Sequence, residues 1–96
     1  MSKIATGQNN DEIHDSFLEL LRHDIPQIIT VYKYPSDYPD KYVARLWHIC
    51  AGYGPVNTKN IVIADTLSEI RAKRPAQMTP LNRDARDDFT VVESWI

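Results

Sequence analysis

Ile28-Ile29-Thr30-Val31-Tyr32-Lys33-Tyr34 runs into Pro35-Ser36-Asp37-Tyr38-Pro39-Asp40, and Lys41-Tyr42-Val43-Ala44-Arg45-Leu46-Trp47-His48-Ile49-Cys50 follows. Two runs rich in β-branched and aromatic residues thus flank about six turn-forming ones, the pattern of a hairpin. Pro35 and Pro39 fix their own φ and push Tyr34 and Tyr38 toward extended backbone, while Ser36, Asp37 and Asp40 can bond local amides. So short a connection makes the two strands antiparallel neighbours. Alternation in the second run puts Val43, Arg45, Trp47 and Ile49 on one face and Tyr42, Ala44, Leu46, His48 and Cys50 on the other. Both faces are largely apolar, so this strand reads as central, covered on both sides or covered on one and used on the other.

Outward from the hairpin, the 96 residues suffice for one domain, and 43% hydrophobic with 25% charged residues is the composition of a globular chain. Ile4 and Ala5 are too few apolar residues before Ile13 for a signal peptide or spanning helix, which points to the cytoplasm. The single Cys50 forms no internal disulfide and fits a reducing compartment. A net charge of −2 and a pI near 5.8 count against generic nucleic-acid binding, which needs concentrated positive surface.

Residues 1–8 are polar and aperiodic and read as a flexible tail, leaving residues 9–96 as the domain. Asn9 with Glu12 resembles a capping box, and Ile13, Phe17 and Leu21 recur four apart, so the spacing predicts an amphipathic helix over about 10–23 that Pro26 ends. Residues 51–59, with two glycines and a proline, read as a mobile loop. The run 60–65 is a strand, and Thr66-Leu67-Ser68-Glu69 is a capping box opening a helix to about Arg74 before Pro75. Residues 75–88 read as irregular and 89–96 as a final strand. The order α-β-β-β-α-β gives an α+β fold: a four-stranded mixed or antiparallel sheet with helices packed on it.

No catalytic or metal signature stands out. His48 and Cys50 lie two apart on one strand, ~7 Å by strand geometry, too far for a nucleophile and its base. His14, His23 and His48 match no zinc spacing, and Arg83 and Arg86 compete for Asp84, Asp87 and Asp88. Glu93 reads as facing water or pairing with an arginine, and no cofactor is implied. The informative constellation is aromatic and cationic. Tyr32, Tyr34, Tyr38, Tyr42, Arg45, Trp47 and Tyr53 cluster in or just after the hairpin, and these are the residue types most enriched in interface hot spots. The competing reading keeps the rings in the core and stacks Arg45 on Trp47 or pairs it with Glu93.

The stretch from Val31 to Trp47, with its Tyr-Pro-x-Asp-Tyr-Pro tip, the segment Ala64-Asp65-Thr66-Leu67-Ser68-Glu69-Ile70-Arg71 and the ending Val92-Glu93-Ser94-Trp95-Ile96, resembles a group of small bacterial and phage-type proteins. The resemblance spans roughly residues 31–96, implies no activity and transfers no site residue. It implies an accessory protein working through a larger partner. Three functions follow for testing. The first is a non-enzymatic interaction or regulatory module that binds another protein or itself through the aromatic and arginine face. The second is a single-stranded nucleic-acid binder, with tyrosines stacking on bases and Arg45, Arg71, Lys73 and Arg74 meeting phosphates. The third is a small enzyme or ligand-binding protein with a pocket near residues 51–59, where Arg45, His48 and Glu93 could converge.

Overall fold

The computed structural model describes Ala5–Thr6 and residues 10–96. Along the chain run β1 (Ala5–Thr6), β2 (Glu12–Ile13), β3 (Gln27–Lys33), β4 (Tyr42–Cys50), β5 (Gly54–Ala64), α1 (Leu67–Ala72), β6 (Pro80–Asn82) and β7 (Val91–Trp95). The strands form one seven-stranded sheet in the order β1-β2-β5-β4-β3-β7-β6. Among the described residues only β2 and β5 pair in parallel; every other neighbouring pair is antiparallel. The fold is therefore mostly β with one short helix, and the expected four-stranded α+β arrangement is corrected. The hairpin forms, with Tyr32 opposite Val43 and Lys33 opposite Tyr42, and β4 stands at the centre of the sheet, but Tyr34 takes φ 52° instead of the extended backbone expected before Pro35.

The largest correction is the helix expected over 10–23. Residues 12–13 form β2 instead, and local side chains take up the backbone groups after it: Ser16 Oγ accepts from Leu18 N at 3.0 Å and Gln27 Oε1 from Arg22 N at 2.8 Å. Such competition from short polar side chains disfavours helix. The four-residue spacing reflects burial on two different surfaces. Ile13 packs with Val43, Ile61 and Tyr38 on one side of the sheet, Phe17 and Leu21 with Ile29, Leu46 and Trp95 on the other. Asn9, the expected cap, lies outside the described residues. So does most of the expected tail, although Ala5–Thr6 pair with β2 as the outermost strand.

Residues 51–59 are not a loop. Tyr53 N bonds Cys50 O at 3.0 Å in a tight turn, Gly52 and Gly54 take φ of 82° and 73°, and β5 begins at once. Only a residue without Cβ adopts that backbone freely. Pro55 is tolerated because its partner Ile49 turns its own N–H the other way, to Pro26 O, so the ladder needs no donor at Pro55. α1 starts at Thr66 as read, with the Thr66 hydroxyl accepting from Glu69 N at 3.1 Å and Ile70 fully buried on the sheet. The stretch expected to be irregular contains β6. Four successive antiparallel steps from β5 to β6 make those two strands parallel, so α1 carries the chain over one face to the far edge and β7 turns back beside β3. β5 and β7, three antiparallel steps apart, run antiparallel to each other.

One face of the sheet, here the helix face, carries the main core of Phe17, Ile29, Val31, Leu46, Ile70 and Trp95. The opposite, open face has only the small cluster of Tyr38, Val43 and Ile61 at one end. Beyond that cluster no element of the described chain forms a second layer, and a cleft remains. Among the described residues no helix is long and apolar enough to cross a membrane.

Candidate functional site

The cleft on the open face measures about 720 Å³, and its floor is Tyr32, Val43, Arg45 and Trp47. Strand alternation puts these residues there, since Tyr32 faces Val43 and Trp47 faces Ile28 across the β3–β4 ladder. Irregularities in the flanking strands build the walls. On the β5 side, Arg45 pairs with Ile61 but Trp47 with Asn57, so β5 carries two more residues than β4 over this interval. That bulge holds Lys59 at φ 66° and is fixed by Thr58 Oγ1 donating to Leu46 O at 2.8 Å and Asn57 Oδ1 accepting from Lys59 N at 2.8 Å. Asn57 and Lys59 consequently edge the cleft. On the β7 side, Asp88 Oδ1 accepts from both Thr90 N at 2.9 Å and Thr90 Oγ1 at 2.8 Å, bringing both residues to the opposite rim.

Arg45 is held from behind. Its guanidinium grips the buried Asp11 carboxylate at 2.7 and 3.1 Å and reaches Asp37 at 3.4 Å, while Tyr38 Oη donates to Asp11 Oδ2 at 3.1 Å. Burial works against the charged guanidinium, but the Asp11 bond and charge, with Asp37, outweigh it and raise the Arg45 pKa. Tyr32 behaves as a half-buried phenol. Burial, reinforced by the charges of Asp88 and Asp87, raises its pKa against the opposing pull of Arg45 and the Trp47 side chain.

The seven residues singled out from sequence divide three ways. Tyr32, Arg45 and Trp47 come together in the cleft. Tyr38 and Tyr42 are buried, the first over the open-face cluster and the second in the helix-face core. Tyr34 is half-exposed against Tyr42, ring centroids 5.4 Å apart, with Lys33 Nζ 5.3 Å from its ring, and Tyr53 stands 85% exposed at the β4–β5 turn. Arg45 pairs with neither Trp47 nor Glu93 as expected. Glu93 is buried on the helix face, bonding Arg71 at 2.8 Å and the Trp95 indole N–H at 2.8 Å. His48, which contacts Gln27, shares that face, so Arg45, His48 and Glu93 do not converge. Asp11, Lys59 and Asp88 were missed; nothing local in the sequence links Asp11 to Arg45, 34 positions away.

Among the described residues no group of three or more histidine, cysteine, aspartate or glutamate side chains is placed to hold a metal ion. The chain matches no protein-family model, no curated protein and no solved structure.

Proposed function

We propose that this chain is a non-enzymatic, cytoplasmic interaction module that binds a segment of another protein in the open-face cleft. One observation carries the reading: Tyr32 and Trp47, residues that the interior of a small domain ordinarily absorbs, stay only partly buried on the floor of a concave site around a fixed arginine. Aromatic rings beside rigid polar groups in a concavity favour recognition. The resemblance to small bacterial and phage-type proteins, which implies an accessory role, accords with it. Affinity capture from the host with wild type, Trp47→Ala and Tyr53→Ala provides the test. A partner held by wild type and Tyr53→Ala but lost by Trp47→Ala supports the cleft; one lost only by Tyr53→Ala moves the surface to the turn.

Nucleic acid is the poorer fit. Arg71 is paired with Glu93, Lys73 Nζ donates to Asp15 O at 2.9 Å and Arg74 bonds Met78 O. These cations belong to the helix side, whereas Tyr32 and Trp47 occupy the other face, so bases on the rings and phosphates on those cations cannot be met together. Self-association is a second reading with its own support. Leu81 opposite Ser94, and Ser94 opposite Thr30, extend the open face to the β6 edge, where Leu81 and Ile96 are 42% and 53% exposed. The side chains of Leu81, Ser94, Thr30 and Ile96 carry no charge, so two copies can juxtapose them without side-chain repulsion. Sedimentation at high protein concentration gives a dimer if it is used so and a monomer if not.

A further inference from the structure

We propose that the cleft takes a cationic group, the lysine or arginine side chain of a partner segment, with its charge against the Tyr32 and Trp47 rings and near the Asp37 and Asp88 carboxylates. This rests on the reading of the cleft as a docking site and names the chemistry of its occupant.

The charge inventory decides the sign. Asp11, Asp37 and Asp88 line the cleft against Arg45 and Lys59, an excess of one negative charge. The Arg45 charge is felt at Tyr32, but Arg45 is held by both Asp11 and Asp37, so the three groups together carry one net negative charge. Lys59 is the remaining cation of the lining; just outside it Arg83 acts on Asp88 and Asp87 on Tyr32, one charge of each sign, so the excess stands. Lys59 sits on β5, and Asp88 precedes β7, with β4 and β3 between them. Three strand spacings put them roughly 14 Å apart, beyond the Debye length of about 10 Å at moderate salt, so Lys59 does not cancel Asp88 at the far wall. The Asp88 pKa is lowered chiefly by its two bonds from Thr90, against burial and with a smaller contribution from the Arg83 charge, which keeps the carboxylate ionised. An acidic segment or a phosphate would meet the Asp88 carboxylate at that wall and the net negative Asp11–Arg45–Asp37 group beside it. A guanidinium or ammonium would meet carboxylates and ring surface together, the combination that binds cations.

The test uses the full chain in two-dimensional NMR, following the Trp47 indole N–H, assigned by its loss in Trp47→Phe. The probes are a short arginine peptide and its counterparts carrying citrulline, a neutral isostere, or glutamate. The arginine peptide should move the Trp47 resonance saturably and bind about tenfold more tightly than the citrulline peptide, with the advantage shrinking as salt rises. Asp88→Asn, which keeps the acceptor for Thr90, should reduce that advantage about threefold, and Asp37→Asn/Asp88→Asn should abolish most of it. Equal binding of arginine and citrulline peptides at Trp47 would overturn the cationic proposal while leaving the docking reading in place. Tighter binding of the glutamate peptide, or an arginine advantage untouched by Asp88→Asn and the double variant, would also overturn it. If no peptide moves Trp47, the proposal falls, and the capture experiment with Trp47→Ala alone judges the docking reading.

Discussion

Asp11, with no solvent exposure, accepts both arms of the Arg45 fork, Nη1 to Oδ1 at 2.7 Å and Nη2 to Oδ2 at 3.1 Å. The bond ties the segment entering β2 to the central strand, and Tyr38 Oη, donating to the same carboxylate, adds the hairpin tip. Removing Asp11 leaves the largely buried Arg45 guanidinium with the longer 3.4 Å contact to Asp37 in place of a bidentate partner. Asp11→Ala should therefore destabilise by about 3–5 kcal/mol, whereas Asp11→Leu/Arg45→Met, which removes both charges, should recover most of that loss. Urea unfolding midpoints of the single and double variants check the comparison. A double variant no more stable than Asp11→Ala would show that the pair contributes more than mutual neutralisation.

Tyr32 gives the fold a dependence on alkaline pH. Its pKa lies above the ordinary 10.0 in the folded chain, mainly through burial. As pH rises past that ordinary value the unfolded chain releases the proton first, so it binds fewer protons than the native state and stability falls with rising pH. The contribution is complete below about pH 10 and is lost as pH climbs through the folded-state value. Tyr32→Phe should flatten this part of the stability profile between about pH 9 and pH 11 relative to wild type. Denaturant midpoints across that range are the measurement, and an identical slope in both proteins would contradict the assignment.

The short helix depends on its cap. Thr66 Oγ1 accepts from Glu69 N and donates to Glu69 Oε1, each at 3.1 Å. With only six residues in α1, one bond is a large share of its local stabilisation. Thr66→Ala should cost about 1 kcal/mol and Thr66→Ser only a small part of that. Because Ile70 is fully buried on the sheet, the loss should appear in global unfolding as well as in amide exchange within α1.

The parts of this fold legible in sequence are those decided over short distances. The alternation of β4 and the Thr66 cap each involve residues within one turn or one strand and form as read; the reversal at Pro35–Pro39 also forms, but with Tyr34 at φ 52° and not extended. The helix expected over 10–23 failed because periodicity reports burial, and Ile13 and Phe17 are buried on opposite faces of the sheet. Residues 51–59 were misread because Gly52 and Gly54 mark a turn of only a few residues, and Pro55 occupies a ladder position that needs no donor. At the site, Tyr32, Arg45 and Trp47 were recoverable from the hairpin alone. Asp11, Lys59 and Asp88 were not, since a salt bridge 34 positions long and a bulge in β5 bring them to the cleft.

The two tryptophans should separate stability from binding. Trp95 has no exposure, fills the helix-face core and gives its indole N–H to Glu93 Oε2 at 2.8 Å, while Glu93 Oε1 takes Arg71. Trp95→Ala leaves a large cavity and removes a partner from a buried carboxylate, so a loss of about 3–5 kcal/mol is expected. Trp47 stands half-buried over an open cleft, where water can fill the space its side chain leaves. Trp47→Ala should cost less than about 1.5 kcal/mol, within the range of ordinary substitutions that create no sealed cavity. Collisional quenching of fluorescence distinguishes the rings directly. In wild type one component should be accessible and one protected; Trp47→Ala should abolish the accessible component and retain the protected one. If Trp47→Ala instead unfolds the protein as readily as Trp95→Ala, the ring belongs to the core's stabilisation, and the concavity loses the element on which recognition was argued.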